Sequence, residues 1–407
     1  MRKASLLASV ALIGVIGVAP SYAAANTLTG LIPDIYAALD VVSRELIGFI
    51  PSVNRNTGAE RAAKGEAVKW PVSRTTTATD ITPSMTIPNP ADRTTDTASI
   101  TITEAKSARF GYTGEEQKGL NNSVGYLSVQ AQEIAQAFRS IANEVEQDIA
   151  DVALVHGSRA YGTSGTTPFA TDLSDAANIK KILDDNGAPS GERSLIINTT
   201  AGVKVRTLTQ LTKVNEAGTS MTLRDGELLS IFGLSMKESA ANTSHTKGTG
   251  ASATTNNAGY AVGATTITLA SAGTGTIVAG DVITIAGDTN KYVVLSGDAD
   301  VSNGGTITIG APGLRVAIAA SATAITVLNS FSASFGFSRN ALALAARPPA
   351  VPEGGDAAVE SMLVTDVRSG ITFDIRRYNG YHMSEYEVGL AWGVAATKDE
   401  HIATLLG

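Results

Sequence analysis

The sequence predicts an α+β chain in which a small antiparallel β module, a closed barrel or sandwich, is set into the loop of another domain. Three observations carry this prediction. First, residues 248–327 contain only six charged side chains (Asp281, Asp288, Lys291, Asp298, Asp300, Arg315) and two aromatics (Tyr260, Tyr292). The rest is mostly Gly, Ala, Thr, Ser, Val and Ile in alternating runs of strand length at 265–269, 282–285, 292–295, 306–309 and 324–327. Gly-Asp, Asp-Thr-Asn, Asn-Gly-Gly and Pro-Gly signals separate them, the spacing expected of short antiparallel strands. Second, an amphipathic stripe over 128–155 predicts one unusually long helix before the insert. Third, strand character resumes after the insert without a visible core of its own.

The elements follow in order. Arg2-Lys3, an apolar run over 6–18 and Pro20-Ser21-Tyr22-Ala23-Ala24 have the three parts of a secretory signal peptide, with cleavage expected after Ala23. That run is shorter than the roughly 20 residues a membrane span needs. Leu31, Ile32, Ile35, Leu39, Val42 and Leu46 suit an amphipathic helix over 27–53, with Pro33 in its first turn and Pro51 at its end. Residues 54–118 are rich in Thr, Ala and Pro, with strand-like pieces at 67–72 and 99–102. They predict a long two-stranded arm that buries little by itself and takes its partner from another molecule. In the long helix Ile134, Phe138, Ile141, Val145, Ile149 and Val152 form the apolar stripe, and Glu144, Asp148 and Asp151 are assigned to a solvated acidic face. A second helix is expected over 172–185, capped by Ser174 or Asp175 and stopped at Asn186-Gly187. A buried strand at 194–199 and a helix over 203–211, capped by Thr199 or Thr200, complete an α/β unit. Strands return at 330–337, 362–378 and 385–394.

Composition excludes several classes. The net charge of −7 over 407 residues leaves no basic face of the kind a sequence-reading nucleic-acid binder carries. Cysteine is absent, and the four histidines (His156, His245, His382, His401) are scattered, so thiolate and zinc motifs are missing. The 248–253 loop loosely matches a dinucleotide-binding turn but lacks the flanking strand and helix, and reads as a hinge into the insert. Asp298, Asp300 and Gly304 resemble a calcium loop with the glycine one position late and Ile309 where an acid is required; a turn between strands is the expectation. Ser164 has no histidine in view, and His156 at the end of the long helix reads as a cap or polar contact. No catalytic residue, cofactor or metal site is expected.

The order of parts resembles tailed-phage major capsid proteins of the Hong Kong 97-type fold, in particular short-tailed-phage coat proteins with a β-barrel insertion domain. The resemblance rests on Leu31-Ile32-Pro33-Asp34-Ile35-Tyr36, on Gly114-Glu115-Glu116-Gln117-Lys118-Gly119-Leu120 before the long helix, and on Ala160-Tyr161-Gly162. Gly280-Asp281-Val282-Ile283-Thr284-Ile285-Ala286-Gly287 in the insert and the run from Ser369-Gly370-Ile371-Thr372-Phe373 to Trp392-Gly393-Val394 complete it. After the signal-peptide-like leader at 1–24, the resemblance implies an N-arm helix at 25–53, an extended β loop at 54–118 and a peripheral domain with the spine helix at 119–199. It further implies an axial domain at 200–247 and 328–360, the barrel at 248–327, and C-terminal core strands at 361–407. The leader has no counterpart in such proteins, which assemble in the host cytoplasm. The function implied is that of a self-assembling shell subunit: pentamers and hexamers of one chain, a scaffolding protein and a portal as partners, and double-stranded DNA packaged without sequence-specific contacts or a membrane. Arg74, Arg93, Glu115, Glu116 and Lys118 are the expected intersubunit contacts of the arm. Two other functions remain open at this point: an exported, adhesive β-rich surface protein, and an encapsulin-like compartment shell around an enzyme cargo.

Overall fold

The computed structural model describes residues 47–58, 60–72, 78, 80–86, 96–123, 126–213, 228, 230–241, 243–366 and 369–407. The expected leader and nearly all of the expected N-arm helix lie outside these residues, as do Arg74 and Arg93.

Two sheets share one long helix, Tyr126–Val155, whose 30 residues span about 45 Å at 1.5 Å per residue. The stripe Ile134, Phe138, Ile141, Val145 and Ile149 is buried, as its three- and four-residue spacing predicts. It packs on a sheet ordered Asn54–Thr57, Leu342–Arg347, Met383–Ala396, Thr372–Gly380 and Ala358–Thr365, with Glu104–Thr113 on the other flank of Met383–Ala396. Phe138 meets Phe373 edge to face at 4.5 Å between ring centroids. Residues 104–113 were expected in the arm; they form ten residues of this sheet instead, paired from Glu104 opposite Trp392 to Thr113 opposite Met383.

The second sheet holds Leu234–Ser239, Arg193–Asn198, Phe331–Ser338, Ile402–Leu406 and Arg159–Gly162 side by side, mixing parallel and antiparallel pairs. Strand alternation explains how it divides two cores. Phe331, Ala333, Phe335 and Phe337 point toward the long helix, where Phe49 stacks on Phe337. On the opposite face Gly336 meets the helix Ser174–Asp185 so closely that a Cβ there would lie 2.2 Å from Ile179. A second core of Phe169, Ile179, Leu183, Leu195, Ile197 and Val205 fills that side. The caps differ from the sequence expectation. Leu173, not Ser174 or Asp175, occupies the first cap position, while Asp172 accepts from the Ser174 amide and Asp175 from that of Phe169. The next helix, Thr199–Thr207, is capped by Asn198, whose side chain accepts from the Ala201 amide at 2.7 Å.

All five runs expected in the insert are strands: Thr266–Leu269, Val282–Ile285, Lys291–Ser296, Gly305–Ile309 and Ala324–Val327. They pair antiparallel in the order 266–269, 305–309, 291–296, 282–285, 324–327, and the short strand Ala253–Thr254 follows the last. A bridge between Thr255 and Leu269 links the two ends of that series. Ile267, Ile283, Ile285, Val294, Ile307 and Ile325 fill its centre. Tyr292 is buried there with its hydroxyl donating to Asp288 and accepting from the Arg315 amide; burial first, then Asp288, push its pKa up to about 12. The insert is not detached from the body: Lys291 and Tyr292 also pair with Ala160 and Arg159, so the second sheet runs directly into it.

Candidate assembly site

The arm is the ribbon Ala67–Val72 and Asp96–Thr101, paired with each other and, among the described residues, in a ladder with no third strand. Two strands alone are marginal in water, so the question is what fixes this one. Its root supplies part of the answer. Ile100 and Ile102 are fully buried with Ala62, Ala343, Ala345 and Ala391 against the face of the sheet turned away from the long helix. The Ile102 amide donates to Glu66 and the Thr103 amide to Trp392. Thr101 passes so near Gly393 that a Cβ on that glycine would lie 2.0 Å from the Thr101 carbonyl oxygen; only glycine admits this approach. Among the described residues between the two strands, Ile81 and Met85 are fully exposed.

An ionic clamp holds the same root. Asp374, 2 % exposed, accepts from both Nη atoms of Arg61 at 2.6 and 3.3 Å and from Arg376 Nε at 2.8 Å. Arg61 also donates to the Pro349 carbonyl, and Arg376 pairs with Asp356. Burial works against the Arg376 charge, but its bonds to Asp374 and neighbours outweigh this and hold its pKa above the ordinary value. Sequence reasoning missed this clamp. Thr372, Asp374 and Arg376 alternate with Ile371, Phe373 and Ile375, which reads as a solvated face, yet Asp374 is buried there with Arg61, from before the ribbon, bonded to it.

A second missed residue is Glu146 on the long helix, 4 % exposed. Its carboxylate accepts from the amides of Gly48 (2.6 Å), Phe49 (2.8 Å) and Ile50 (3.0 Å) and from the Ser239 hydroxyl (2.8 Å). It ties the segment entering from the N-terminus to the long helix and to Leu234–Ser239. Burial pushes the carboxyl above its usual range although all four donors pull the other way. The signal in the sequence was position: Ala142, Glu146, Ile149 and Ala153 form a second buried row at helical spacing. The expected solvated acidic face needs a correction as well. Asp148 accepts from Trp392 Nε1 at 2.7 Å, and burial raises its pKa. Glu144 is exposed and pairs with Lys106.

Of the arm contacts expected from sequence, Glu115, Glu116 and Lys118 fall on the helix Gly114–Ser123. Glu115 and Lys118 are exposed. Glu116 closes a capping box: it accepts from the Thr113 amide at 2.8 Å, and its own amide donates to Thr113 Oγ1 at 3.3 Å. Thr113→Ala is expected to cost about 1 kcal/mol, read from the urea midpoint at unchanged slope; an unaltered midpoint would remove the box from the account.

The neck of the insert is closed by Asp281, fully buried, which accepts from the Gly248 and Val278 amides and from His245 Nε2 at 2.9 Å. Entry strand Ser244–His245 lies antiparallel beside Phe331 and Ser332, so entry and exit are adjacent. The 248–253 loop gives its first amide to a carboxylate of the chain itself. In the calcium-like turn Asp300 accepts from the amide of Ser302 and from the side chains of Ser302 and Asn303, and Asp298 accepts from the Asp300 amide. Among the described residues no group of three or more potential metal-ligating side chains occurs, and no helix is long and apolar enough to cross a membrane.

Two histidines involve the C-terminal segment. His156 Nδ1 lies 3.0 Å from Asp399, the polar contact expected of it. His401 is buried with Nδ1 unpartnered, and burial, with Lys398 and Arg193 adding to it against Glu400, lowers its pKa below the usual imidazole value. The fold therefore binds this proton less readily than the unfolded chain. The resulting stability is complete above the unfolded pKa and is lost as pH falls through the lowered one. Stability of the wild type is expected to fall more steeply than that of His401→Gln between pH 7 and 5, measured by urea unfolding; parallel curves would refute this assignment.

No family model and no curated protein matches the chain. Among solved structures it is similar to a chain of Mycobacterium phage Che8, at 12% identity and TM-score 0.42, over 97% of this chain and 98% of that one. It is also similar to a chain in the capsid structure of the cyanophage P-SCSP1u (11% identity, TM-score 0.44, 96% and 92% covered). A third likeness is to a chain of the virus-like particle from Pyrococcus furiosus (10% identity, TM-score 0.39, 91% and 95% covered).

Proposed function

We propose that this chain is the major capsid subunit of a tailed phage or prophage, a non-enzymatic protein that assembles with its own copies into an icosahedral shell around double-stranded DNA. The observation that carries the reading is the arm: a ribbon clamped at its root, paired with no third strand among the described residues, with Ile81 and Met85 between its two strands in sequence fully exposed. A segment that buries so little alone gains its stability from a partner. Contacts repeated head to tail between identical copies close into rings, which is how pentamers and hexamers arise. Arg74, Arg93, Glu115 and Lys118 are proposed intersubunit contacts, and Glu116 contributes by fixing the helix that presents Glu115 and Lys118. A scaffolding protein and a portal are proposed partners, assembly is assigned to the host cytoplasm, and the acidic chain would enclose DNA without gripping it. The insert is read as a closed barrel with its own core; fragment 248–327 is expected to melt cooperatively, and a random-coil circular dichroism spectrum would overturn that reading.

Expression of residues 25–407 behind a new initiating Met, with and without a co-expressed scaffolding candidate, followed by negative-stain electron microscopy, tests the function. Closed shells of uniform size are expected. Monomer in both preparations would overturn the shell reading in favour of an exported surface protein, and shells filled with protein cargo would point to a compartment shell.

A further inference from the structure

We infer that Arg61 is the positioning residue of the arm: its fork on Asp374 sets the direction in which the ribbon leaves the subunit and is dispensable for folding. The inference deepens the shell reading and rests on it for its assembly arm. Three observations lead to it. Arg61 stands where the chain leaves the sheet; the next residue, Ala62, bridges to Pro349 in parallel, its amide donating to Pro348 and its carbonyl accepting from Ala350. The guanidinium then makes three bonds to the body, two to Asp374 and one to the Pro349 carbonyl, which fixes an orientation as a single bond cannot. Finally, the two partners of Asp374 are not equivalent. The Arg376 side chain is 10% exposed and the Arg61 side chain 32%. Without Arg61 the buried carboxylate keeps its bond from Arg376 Nε, so no buried charge is stranded. Buried Ile100 and Ile102 would still hold the arm to the sheet, but its angle would be free to vary.

The test compares full-length wild type, Arg61→Ala and a control, Lys69→Ala, which removes an exposed cation from the arm strand itself. Hydrogen exchange, urea unfolding and shell assembly are measured on each. Arg61→Ala is expected to exchange the Ala62 and Thr103 amides roughly tenfold faster than wild type, with exchange in Thr372–Gly380 and the unfolding midpoint unchanged. Shell yield is expected to collapse, or shells to become irregular, in this variant only. Unchanged exchange at the root would overturn the inference, and so would regular shells of normal size or a loss confined to global stability. If Lys69→Ala matched Arg61→Ala, arm charge rather than the fork would be responsible, and the inference would again fail. A wild type that forms no shells would reject the capsid reading, while the exchange comparison would still decide what Arg61 does at the root.

Discussion

Glu146→Ala is expected to be among the most damaging single substitutions in this chain. Wild-type Glu146 gives a hydrogen-bond acceptor to three consecutive amides, those of Gly48, Phe49 and Ile50, and to the Ser239 hydroxyl. Alanine removes every acceptor at once. Each buried donor left unpaired costs about 1–3 kcal/mol, and even with partial relaxation a total loss of about 4 kcal/mol is reasonable against the 5–15 kcal/mol that holds a typical domain folded. The short helix Ile50–Ser52 would lose its fastening, because Phe49 at its cap offers no side-chain acceptor. Ser239→Ala removes one donor and leaves the carboxylate with three, so it should cost no more than about 1 kcal/mol. Urea unfolding of the two variants measures the contrast. Equal midpoints would mean that the carboxylate is not the fastening, and that packing of Phe49 against Phe335 and Phe337 is sufficient.

The contrast also shows what the sequence made legible. Periodicity located the long helix to within two residues and all five strands of the insert, because those elements are set by which residues alternate or recur over short distances. It identified the ribbon from a pair of strand-like pieces in a stretch too polar to bury itself. What it missed has one physical origin: faces that local pattern marks as polar were covered by distant segments. Asp374 alternates like a solvent-facing residue until Arg61 reaches it, Asp148 until Trp392 reaches it, and Glu146 until residues 48–50 lie across the helix. The caps failed for a related reason. Ser, Thr and Asp crowd both helix starts, and the choice of Asn198 over Thr199 or Thr200 follows from where the strand before it ends, against Phe331–Ser338. The strand Glu104–Thr113 was hidden because its pattern is irregular and its pairing is with residues almost 280 positions away.

These covered polar residues divide the molecule into a body and two appendages, each fastened by a buried carboxylate. Asp374 fastens the arm and Asp281 the insert, while Glu146 fastens the entering chain. A carboxylate suits this use because it accepts several donors at once, and bonds from amide, guanidinium and imidazole groups to an ionised acceptor are stronger than neutral ones. Apolar packing alone would hold the same parts together with less control over angle, since it is non-directional. Under the proposed shell function the arm meets a neighbouring copy, and orientation then matters more than the last increment of stability.

The same logic gives the second large effect, at the neck of the insert. Asp281→Ala would leave the Gly248 and Val278 amides without their acceptor and His245 Nε2 without its partner, around a position that is itself fully buried. The expected cost is about 3 kcal/mol, summed from unpaired donors with some relaxation. Asp281→Asn keeps the shape and one oxygen but turns an amide group toward donors, so it should fall between wild type and alanine. Where the loss appears is as informative as its size. The insert has its own core around Ile283, Val294 and Ile307 and a strand continuous with the body through Tyr292 and Arg159. A weakened neck should therefore first speed exchange at Gly248, Val278 and the adjoining turn, with the amides of Thr372–Gly380 protected as in the wild type. Uniformly faster exchange across both regions would mean that the neck and body unfold as one unit and that Asp281 fastens the whole molecule. Exchange at wild-type rates with an unchanged midpoint would mean that the strand shared with Arg159–Gly162 holds the insert unaided, and Asp281 would lose its role.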